Sequence, residues 1–428
     1  MARPQDRSER GDAAGTASRR AALRLLDAVL RKGLPLEAAL DVAARDLDRA
    51  DDRGFAHAIA AEALRRLPDL DALIDGATKQ RLPDDAKARF ALRIALVQAL
   101  ALGTPPHAAI STVLPLVVGG PRRLVHGVFG ALMRRKASLP SPPSLPQDVE
   151  ARWQSAWGDD VVAAAARLIA VPPPLDLIGE PPAGEEGISL MPGHLRLARG
   201  TAVAGLTGYG EGKWWVQDIS AAIPARLFGE GQGHGQGRTA LDLCAAPGGK
   251  TMQLAAAGFR VTALDVSQDR LSRLRENLAR TGLEAEILAG DVLKWQPREP
   301  SDAVLLDAPC SATGIYRRHP DVLHRVRPRA IAELAEAQRA MLGRAAEWVK
   351  RGGGTLVYSV CSLEPQEGEA IAEALLASRI DFELVPIRPD ELPAGLEPDA
   401  RGWLRILPGT FEAEGGADSF FVARFRRR

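Results

Sequence analysis

The stretch Leu241-Asp242-Leu243-Cys244-Ala245-Ala246-Pro247-Gly248-Gly249-Lys250-Thr251 constrains this chain more than any other. It begins inside an apolar run, residues 239–244, of a length that suits a buried parallel strand. The run breaks at Pro247-Gly248-Gly249 and resumes as a helical pattern through Gln253, Leu254 and Ala257. Strand, glycine turn and helix in succession present backbone N–H groups to a ligand at the carboxyl end of a strand in an open α/β sheet. The glycines let the backbone turn tightly and let the ligand approach without a Cβ in the way. A P-loop is ruled out by one position, because its first glycine would stand at residue 244, which is Cys244. The Gly-x-Gly-x-x-Gly dinucleotide pattern is absent as well.

Acids at the ends of the next strands indicate the ligand. The run 261–264 ends at Asp265, about twenty residues after the turn, where a carboxylate suits a ribose hydroxyl pair. Asp291 ends the run 285–290, and Asp307 ends the run 303–306. Carboxylates along one sheet edge repel a triphosphate and suit a nucleoside such as S-adenosylmethionine. Each acid alone reads equally well as a helix N-cap. Three in register favour the ligand.

Two later stretches complete the pattern, Asp307-Ala308-Pro309-Cys310-Ser311-Ala312-Thr313-Gly314 and Tyr358-Ser359-Val360-Cys361-Ser362-Leu363-Glu364-Pro365. With the glycine turn they closely resemble the RNA 5-methylcytosine methyltransferases. Within these, the chain resembles the bacterial 16S ribosomal RNA type, the RsmB/Sun group, from residue 18 to residue 428. The resemblance implies a multidomain protein: an all-α NusB-like bundle, a small α/β subdomain and a Rossmann-like class I methyltransferase sheet. It implies S-adenosylmethionine as cofactor, held by Cys244, Ala245, Ala246, Pro247, Gly248, Gly249, Lys250, Asp265, Arg270, Asp291 and Asp307. RNA, 16S ribosomal RNA first, is the implied partner, and the chain is expected to act as a monomer.

The implied reaction makes its own demands. Cytosine C5 is a poor nucleophile until a thiolate adds at C6 and turns the ring into an enamine. The site then needs a nucleophilic Cys, a group for N3 and the exocyclic amine, a base, and the methyl donor held in line. Cys310 and Cys361 end what read as the fourth and fifth catalytic strands, so both thiols are expected to face one pocket. Position alone leaves open which thiol attacks, since DNA cytosine methyltransferases use the Pro-Cys position. The RNA family uses the later one, so the resemblance implies Cys361 as nucleophile and Cys310 as the thiol that assists adduct breakdown. Asp307 is then expected at the N3 and amine edge of cytosine. Lys250 is expected near the pocket, where its charge favours a thiolate; a plain salt bridge is its alternative. Gln217 and Asp218, in Trp215-Val216-Gln217-Asp218-Ile219-Ser220-Ala221, are expected beside the methionine end of the cofactor, with Asp218 or Ser220 capping the following helix.

Composition adds limits. The 428 residues carry 55 Lys and Arg against 54 Asp and Glu, a net charge of +1, so RNA affinity has to come from local basic patches. One such run, Tyr316-Arg317-Arg318-His319-Pro320-Asp321 with His324, Arg325, Arg327 and Arg329, directly follows the Cys310 loop. Arg317, Arg318, Arg325 and Arg327 are its candidates for phosphate contacts, which would offset the few kcal/mol of extruding a base. Three cysteines show neither a disulfide framework nor metal-ligand spacing, so no metal is expected and Cys244 reads as a small buried hydrophobe. No apolar run reaches membrane-spanning length and residues 1–15 show no apolar signal core, so a soluble cytoplasmic protein is expected.

Along the chain, residues 1–17 read as disordered. Residues 18–137 carry helical stripes for about seven helices. Their candidate RNA contacts are Arg19, Arg20, Arg24, Arg122, Arg123, Arg134, Arg135 and Lys136. Residues 138–148 form a Pro-rich linker. In the subdomain 149–212, one helix is predicted over 149–169, followed by short strands. The family's Arg-x-Asn near the first strand is here Asp176-Leu177-Ile178, which removes the ground for a specific RNA contact. Residues 213–428 form the catalytic domain, with a glycine-rich surface loop at 229–237, an antiparallel closing strand at 419–425 and a frayed Arg426-Arg427-Arg428 end. The family's Pro-x-Glu-Asn after the second thiol is here Pro365-Gln366-Glu367-Gly368, leaving Glu367 to cap the next helix. Two other functions stay open: transfer RNA methylation, and a non-catalytic RNA-binding factor with a decayed enzyme domain. Retention of both thiols, Asp307 and the glycine turn speaks against decay.

Overall fold

The structure, a computed structural model, describes residues 15–182, 184–229 and 238–428. The expected disordered start lies outside them up to residue 14, and so does the glycine-rich loop after Gly229. By its contacts the chain divides into two units. The first runs to Ala151 and takes in His319–Arg325; the second holds Arg152–Arg318 and Val326–Arg428.

The first unit is the expected all-α bundle: α1 (Thr16–Leu30), α2 (Leu36–Ala43), α3 (Ala50–Arg65), α4 (Leu67–Ala77), α5 (Lys87–Leu100), α6 (Pro106–Val113) and α7 (Gly119–Arg134). α5 is its axis, buried on every side from Ala88 to Gln98. A helix apolar on one face only would leave surface there; α5 instead buries Arg89 and Arg93 and pairs both. Arg93 holds Asp71 through two bonds of 2.7 and 2.8 Å, and Arg89 reaches Asp71 and Asp75. Arg19, expected as an RNA contact, is 8% exposed and donates to Gln98 at 2.8 Å. Arg122, Arg123, Arg134, Arg135 and Lys136 are exposed. The Pro-rich stretch is laid on this bundle and does not stand off as a spacer: Ser144 N–H donates to Asp69 at 3.1 Å, Arg66 donates to the Pro140 carbonyl at 3.1 Å, and Leu145 is buried. Residues 319–325 pack into the same unit, where His324 Nε2 lies 2.7 Å from the Leu64 carbonyl.

The predicted single helix is two, α8 (Gln147–Trp157), which begins in the first unit and ends in the second, and α9 (Asp159–Ala170) in the second, broken at Gly158 with φ +84°. A small antiparallel sheet follows, β1 (Leu175–Gly179), β2 (His194–Leu197) and β3 (Trp214–Val216), in the order β2-β1-β3. β3 was expected to open the catalytic domain; it pairs with β1 instead, so the boundary at 212 and 213 falls inside the small sheet. Asp176 is buried in β1 and accepts both Arg196 nitrogens, at 2.7 and 2.9 Å, and the Ile219 N–H at 3.0 Å. It therefore joins the small sheet to α10 (Ile219–Arg226), whose N-cap is Asp218.

The catalytic sheet is built from β4 (Thr239–Leu243), α11 (Gly249–Ala256), β5 (Arg260–Asp265), α12 (Gln268–Thr281), β6 (Glu286–Ala289), β7 (Ala303–Asp307), α13 (Val322–Arg325, part of the first unit), α14 (Pro328–Glu347), β8 (Thr355–Val360), α15 (Glu369–Ser378), β9 (Phe382–Leu384), β10 (Leu404–Ile406) and β11 (Phe420–Arg427). Its order is β10-β11-β8-β7-β4-β5-β6, with β9 also on β11. The pairs from β8 to β6 are parallel and those of β11 antiparallel. Residues 303–306 of β7 are fully buried, as a central parallel strand covered on both faces requires. Alternation along the strands feeds two cores. Leu305 and Val357 pack with α10, α11 and α12; Leu306 and Tyr358 pack with α14 and α15.

The closing strand runs to Arg427, past its expected end, and two more antiparallel strands flank it. Arg427 is 7% exposed and donates to the carbonyls of Glu347 and Val349 at 3.1 and 2.9 Å. The C-terminal arginines are thus part of the sheet, since buried carbonyls at the α14 end require donors.

Candidate active site

Strand order reverses at β4, whose neighbours are β5 on one side and β7 on the other. A crevice opens at such a switch point, outside the carboxyl ends of the strands. Here it is a cavity of about 360 Å³, lined by residues of the glycine turn from Asp242 to Lys250, by Asp307, by Gln217 and Asp218, and by Val203 and Tyr209. Gly248 is in the left-handed region, φ +107°, and caps α11, so that Gly249 and Lys250 of the first helical turn face the cavity. Cys244 also has positive φ, 64°, and burial, aided by Asp265, Asp307 and Asp242, pushes its thiol up to about 12.

Asp242 was passed over in the sequence, although an acid inside the run Leu241-Asp242-Leu243 is itself a signal. It is fully buried and accepts Thr251 Oγ1 at 2.6 Å through Oδ2, while Oδ1 has no hydrogen-bond partner among the described residues. Burial pushes its pKa up to about 7, with Thr251 and Lys250 opposing. A buried oxygen without a donor, beside a cavity, fits a ligand that brings one. The cavity thus suits S-adenosylmethionine: helix N–H groups, an apolar wall of Val216 and Met252, and acceptors for its amino group.

The other expected cofactor acids serve local geometry. Asp265, 2% exposed, accepts the Ala246 and Ser267 N–H groups at 3.1 and 2.9 Å and meets Arg270 at 3.3 Å; Arg270 also bonds the Ala246 carbonyl. Asp291 accepts the Leu293 N–H at 2.9 Å. Neither acid, nor Gly248 or Arg270, lines the cavity.

β7 and β8 are parallel neighbours, so the loops that follow them lie side by side. Cys310 Sγ and Cys361 Sγ are 3.5 Å apart, and both thiols are half-buried. Its hydrogen bond to Cys361, then burial, pushes the Cys310 thiol well above its usual range. Asp307 accepts Lys250 Nζ at 2.8 Å and Ser359 Oγ at 2.8 Å. For Lys250, pocket residue and salt bridge are one and the same. The loops are locked: Gly314 N–H donates to the Cys361 carbonyl at 3.0 Å, and the Leu363 N–H donates to Thr313 Oγ1 at 3.0 Å. From α8, Trp153 donates to Glu364 at 3.3 Å and Trp157 to the Leu363 carbonyl at 2.8 Å. At the position where the family's Asn was missing, a Cβ on Gly368 would run into the guanidinium of Arg405 and into Phe421. Arg405 fills that space and donates to the Ser362 carbonyl at 2.6 Å.

Of the candidate phosphate contacts, two are drawn inside. Arg317 is 1% exposed and bonds the Gly415 carbonyl. Arg318 bridges Asp218 at 2.7 Å and Asp418 at 3.1 Å. Arg325 is paired with Asp321 at 2.8 Å, and Arg327 is exposed.

Comparison with known proteins identifies the family. The family described as 16S rRNA methyltransferase RsmB/F matches residues 234–426, and the NusB family matches residues 16–119. A relative named ribosomal RNA small subunit methyltransferase B, from Klebsiella pneumoniae strain 342, is 33% identical over 420 residues, covering 88% of this chain and 90% of the relative. One of the same name from Xylella fastidiosa strain Temecula1 is 35% identical over 439 residues, covering 96% and 98%. The crystal structure of PH0851 shares the fold with a TM-score of 0.74 at 23% identity, over 96% of this chain and 99% of that one. The chain belongs to the ribosomal RNA small subunit methyltransferase B family, S-adenosylmethionine-dependent enzymes in which a NusB domain precedes an RsmB/F methyltransferase domain.

Proposed function

We propose that this chain methylates C5 of a cytidine in 16S ribosomal RNA through a covalent bond between Cys361 and C6. The observation that carries the reading is the pair of thiols 3.5 Å apart, on the loops that follow the neighbouring strands β7 and β8; neither thiol lines the cofactor cavity, but Asp307, the last residue of β7, lines it together with its partner Lys250. One thiol can add at C6 and leave again, and a second beside it can assist the release. Addition of the Cys361 thiolate at C6 makes C5 nucleophilic. S-adenosylmethionine, held by the cavity-lining residues 244–247, 249 and 250, supplies the methyl. A ribose contact by Asp265 requires the hydroxyl pair to take the place of Arg270. Asp307, fixed by Lys250 and Ser359, offers its carboxyl to the N3 and amine edge of the base. Loss of the C5 proton to a base then restores the C5–C6 double bond and returns the C6–S electron pair to Cys361. Cys310, 3.5 Å from Cys361, assists that step in this reading. Among the candidates in the basic run, Arg327 is the exposed one left for a phosphate. The three free thiols suit the reducing cytoplasm.

The test uses purified protein, S-adenosylmethionine and protein-free small-subunit rRNA. Methyl transfer and denaturing-gel adducts are followed for the wild type, Cys361→Ala and Cys310→Ala. Transfer lost in Cys361→Ala, with adduct accumulating in Cys310→Ala, is expected. The reverse pattern assigns attack to Cys310 and overturns the nucleophile. Transfer to tRNA and not to rRNA overturns the substrate.

A further inference from the structure

Glu367 was read as a helix cap and is something else. The N-cap of α15 is Gly368, and it has no side-chain cap. Glu367 is fully buried. Its Oε1 accepts the Ser311 N–H at 2.9 Å and Gln338 Nε2 at 3.0 Å. Its Oε2 accepts Ser311 Oγ and Ser362 Oγ, both at 2.5 Å. Its own carbonyl accepts Tyr358 Oη at 2.5 Å, and Gln338 also donates to the Pro309 carbonyl at 2.9 Å. Ser311 directly follows Cys310, and Ser362 directly follows Cys361. One carboxyl group therefore bonds the residue next to each thiol.

This arrangement is not explained by stability. Among the described residues Glu367 has no ion-pair partner, and burying a carboxyl group without a cation is unfavourable unless fixed donors replace its water. Here four donors from three segments do so, and two of those segments carry the thiols. We propose that Glu367 is the positioning residue of the thiol pair: it ties the Cys310 loop to the Cys361 loop and so holds the two sulfurs at the spacing that adduct release requires. The inference rests on the proposed reaction for its consequence in turnover, but the spacing itself is a property of the free protein.

The experiment separates the two. Full-length wild type, Glu367→Gln and Glu367→Ala, each shown folded by circular dichroism, are treated with dibromobimane, which becomes fluorescent on bridging two nearby thiols; Cys310→Ala is the blank. The same proteins are assayed for methyl transfer to rRNA, with adduct resolved on denaturing gels. The expected result for Glu367→Ala is bridging slowed about tenfold or more and kcat lowered by a similar factor. KM for S-adenosylmethionine and for RNA stays at the wild-type value, and adduct accumulates. Glu367→Gln, which keeps the shape and half the acceptors, recovers part of both. If Glu367→Ala does not fold, Glu367→Gln and the double variant Ser311→Ala with Ser362→Ala carry the same expectation. Wild-type bridging and wild-type kcat in the folded variants overturn the proposal. Slowed bridging in the variants, with no transfer to rRNA even by the wild type, supports the clamp and overturns the reaction assigned to it.

Discussion

At the scale of single residues, the site is governed by which polar groups are buried and what meets them. Asp242 is the sharpest case, because burial raises its pKa to about 7. The folded protein then keeps a proton on Asp242 between about pH 4 and pH 7 that the unfolded chain has lost. Its contribution to stability is present at low pH and falls as pH rises through that window. Asp242→Asn removes this term. Thermal melts are expected to show the variant gaining on the wild type from pH 5 to pH 8; parallel melting curves would show that Asp242 is charged in the fold. Cys310 and Cys361 could be located from motif spacing alone, because each ends a strand at a sharp turn. Glu367 could not. Pro365-Gln366-Glu367-Gly368 is polar and looks like a loop, and only the meeting of the Ser311, Gln338 and Ser362 segments makes its carboxyl internal.

Elements place these residues through close backbone approach. Gly314 packs against the Ser419 and Cys361 carbonyls, so an added Cβ would collide with main chain on both sides. Gly314→Ala is expected to destabilise by about 1–3 kcal/mol, read as a lower urea midpoint, and to lower kcat more than it changes binding of S-adenosylmethionine. A midpoint within error of the wild type would show that the loop yields. The alternation of β7 and β8 was readable as apolar runs. The break between α8 and α9 was not, because one glycine in a helical stripe is tolerated in many helices, and only φ +84° at Gly158 shows that this one ends it.

For the molecule as a whole, near-neutral charge means that RNA is met by patches. Arg122 and Arg123 on α7, exposed and without an ion-pair partner among the described residues, are expected to be one. Replacing both by Gln should lower the slope of log affinity for RNA against log salt by about 1.4, at about 0.7 per lost phosphate contact, with no change in the methylated position. An unchanged slope removes α7 from the RNA surface. His324 reports on the segment packed into the helical unit. Burial lowers its pKa to about 4, with the Leu64 carbonyl opposing. The unfolded chain takes up that proton near pH 6.5 and the folded one only near 4, so this stability is complete above pH 6.5 and is lost as pH falls toward 4. His324→Gln is expected to flatten the decline in melting temperature between pH 6.5 and pH 4. Among the described residues no helix is long and apolar enough to cross a membrane.

The sequence by itself determined the parts written in local chemistry. A strand that must turn under a ligand needs Gly248 and Gly249. A parallel sheet buried on both faces needs the apolar run of β7. The motifs around Cys310 and Cys361 mark the loops that follow two neighbouring strands. Tertiary structure alone decided how charge is spent. Arg317 and Arg318 sit in the most basic run of the chain, yet the fold turns one to the Gly415 carbonyl and the other to Asp218 and Asp418, both far away in sequence. Arg427 ends an arginine run and becomes the donor for buried carbonyls of α14 and the segment after it. An arginine in a one-dimensional pattern is solvated by default. Whether it meets water, phosphate or a buried acceptor depends on which distant groups lack a partner, and that is known only once the chain has closed on itself.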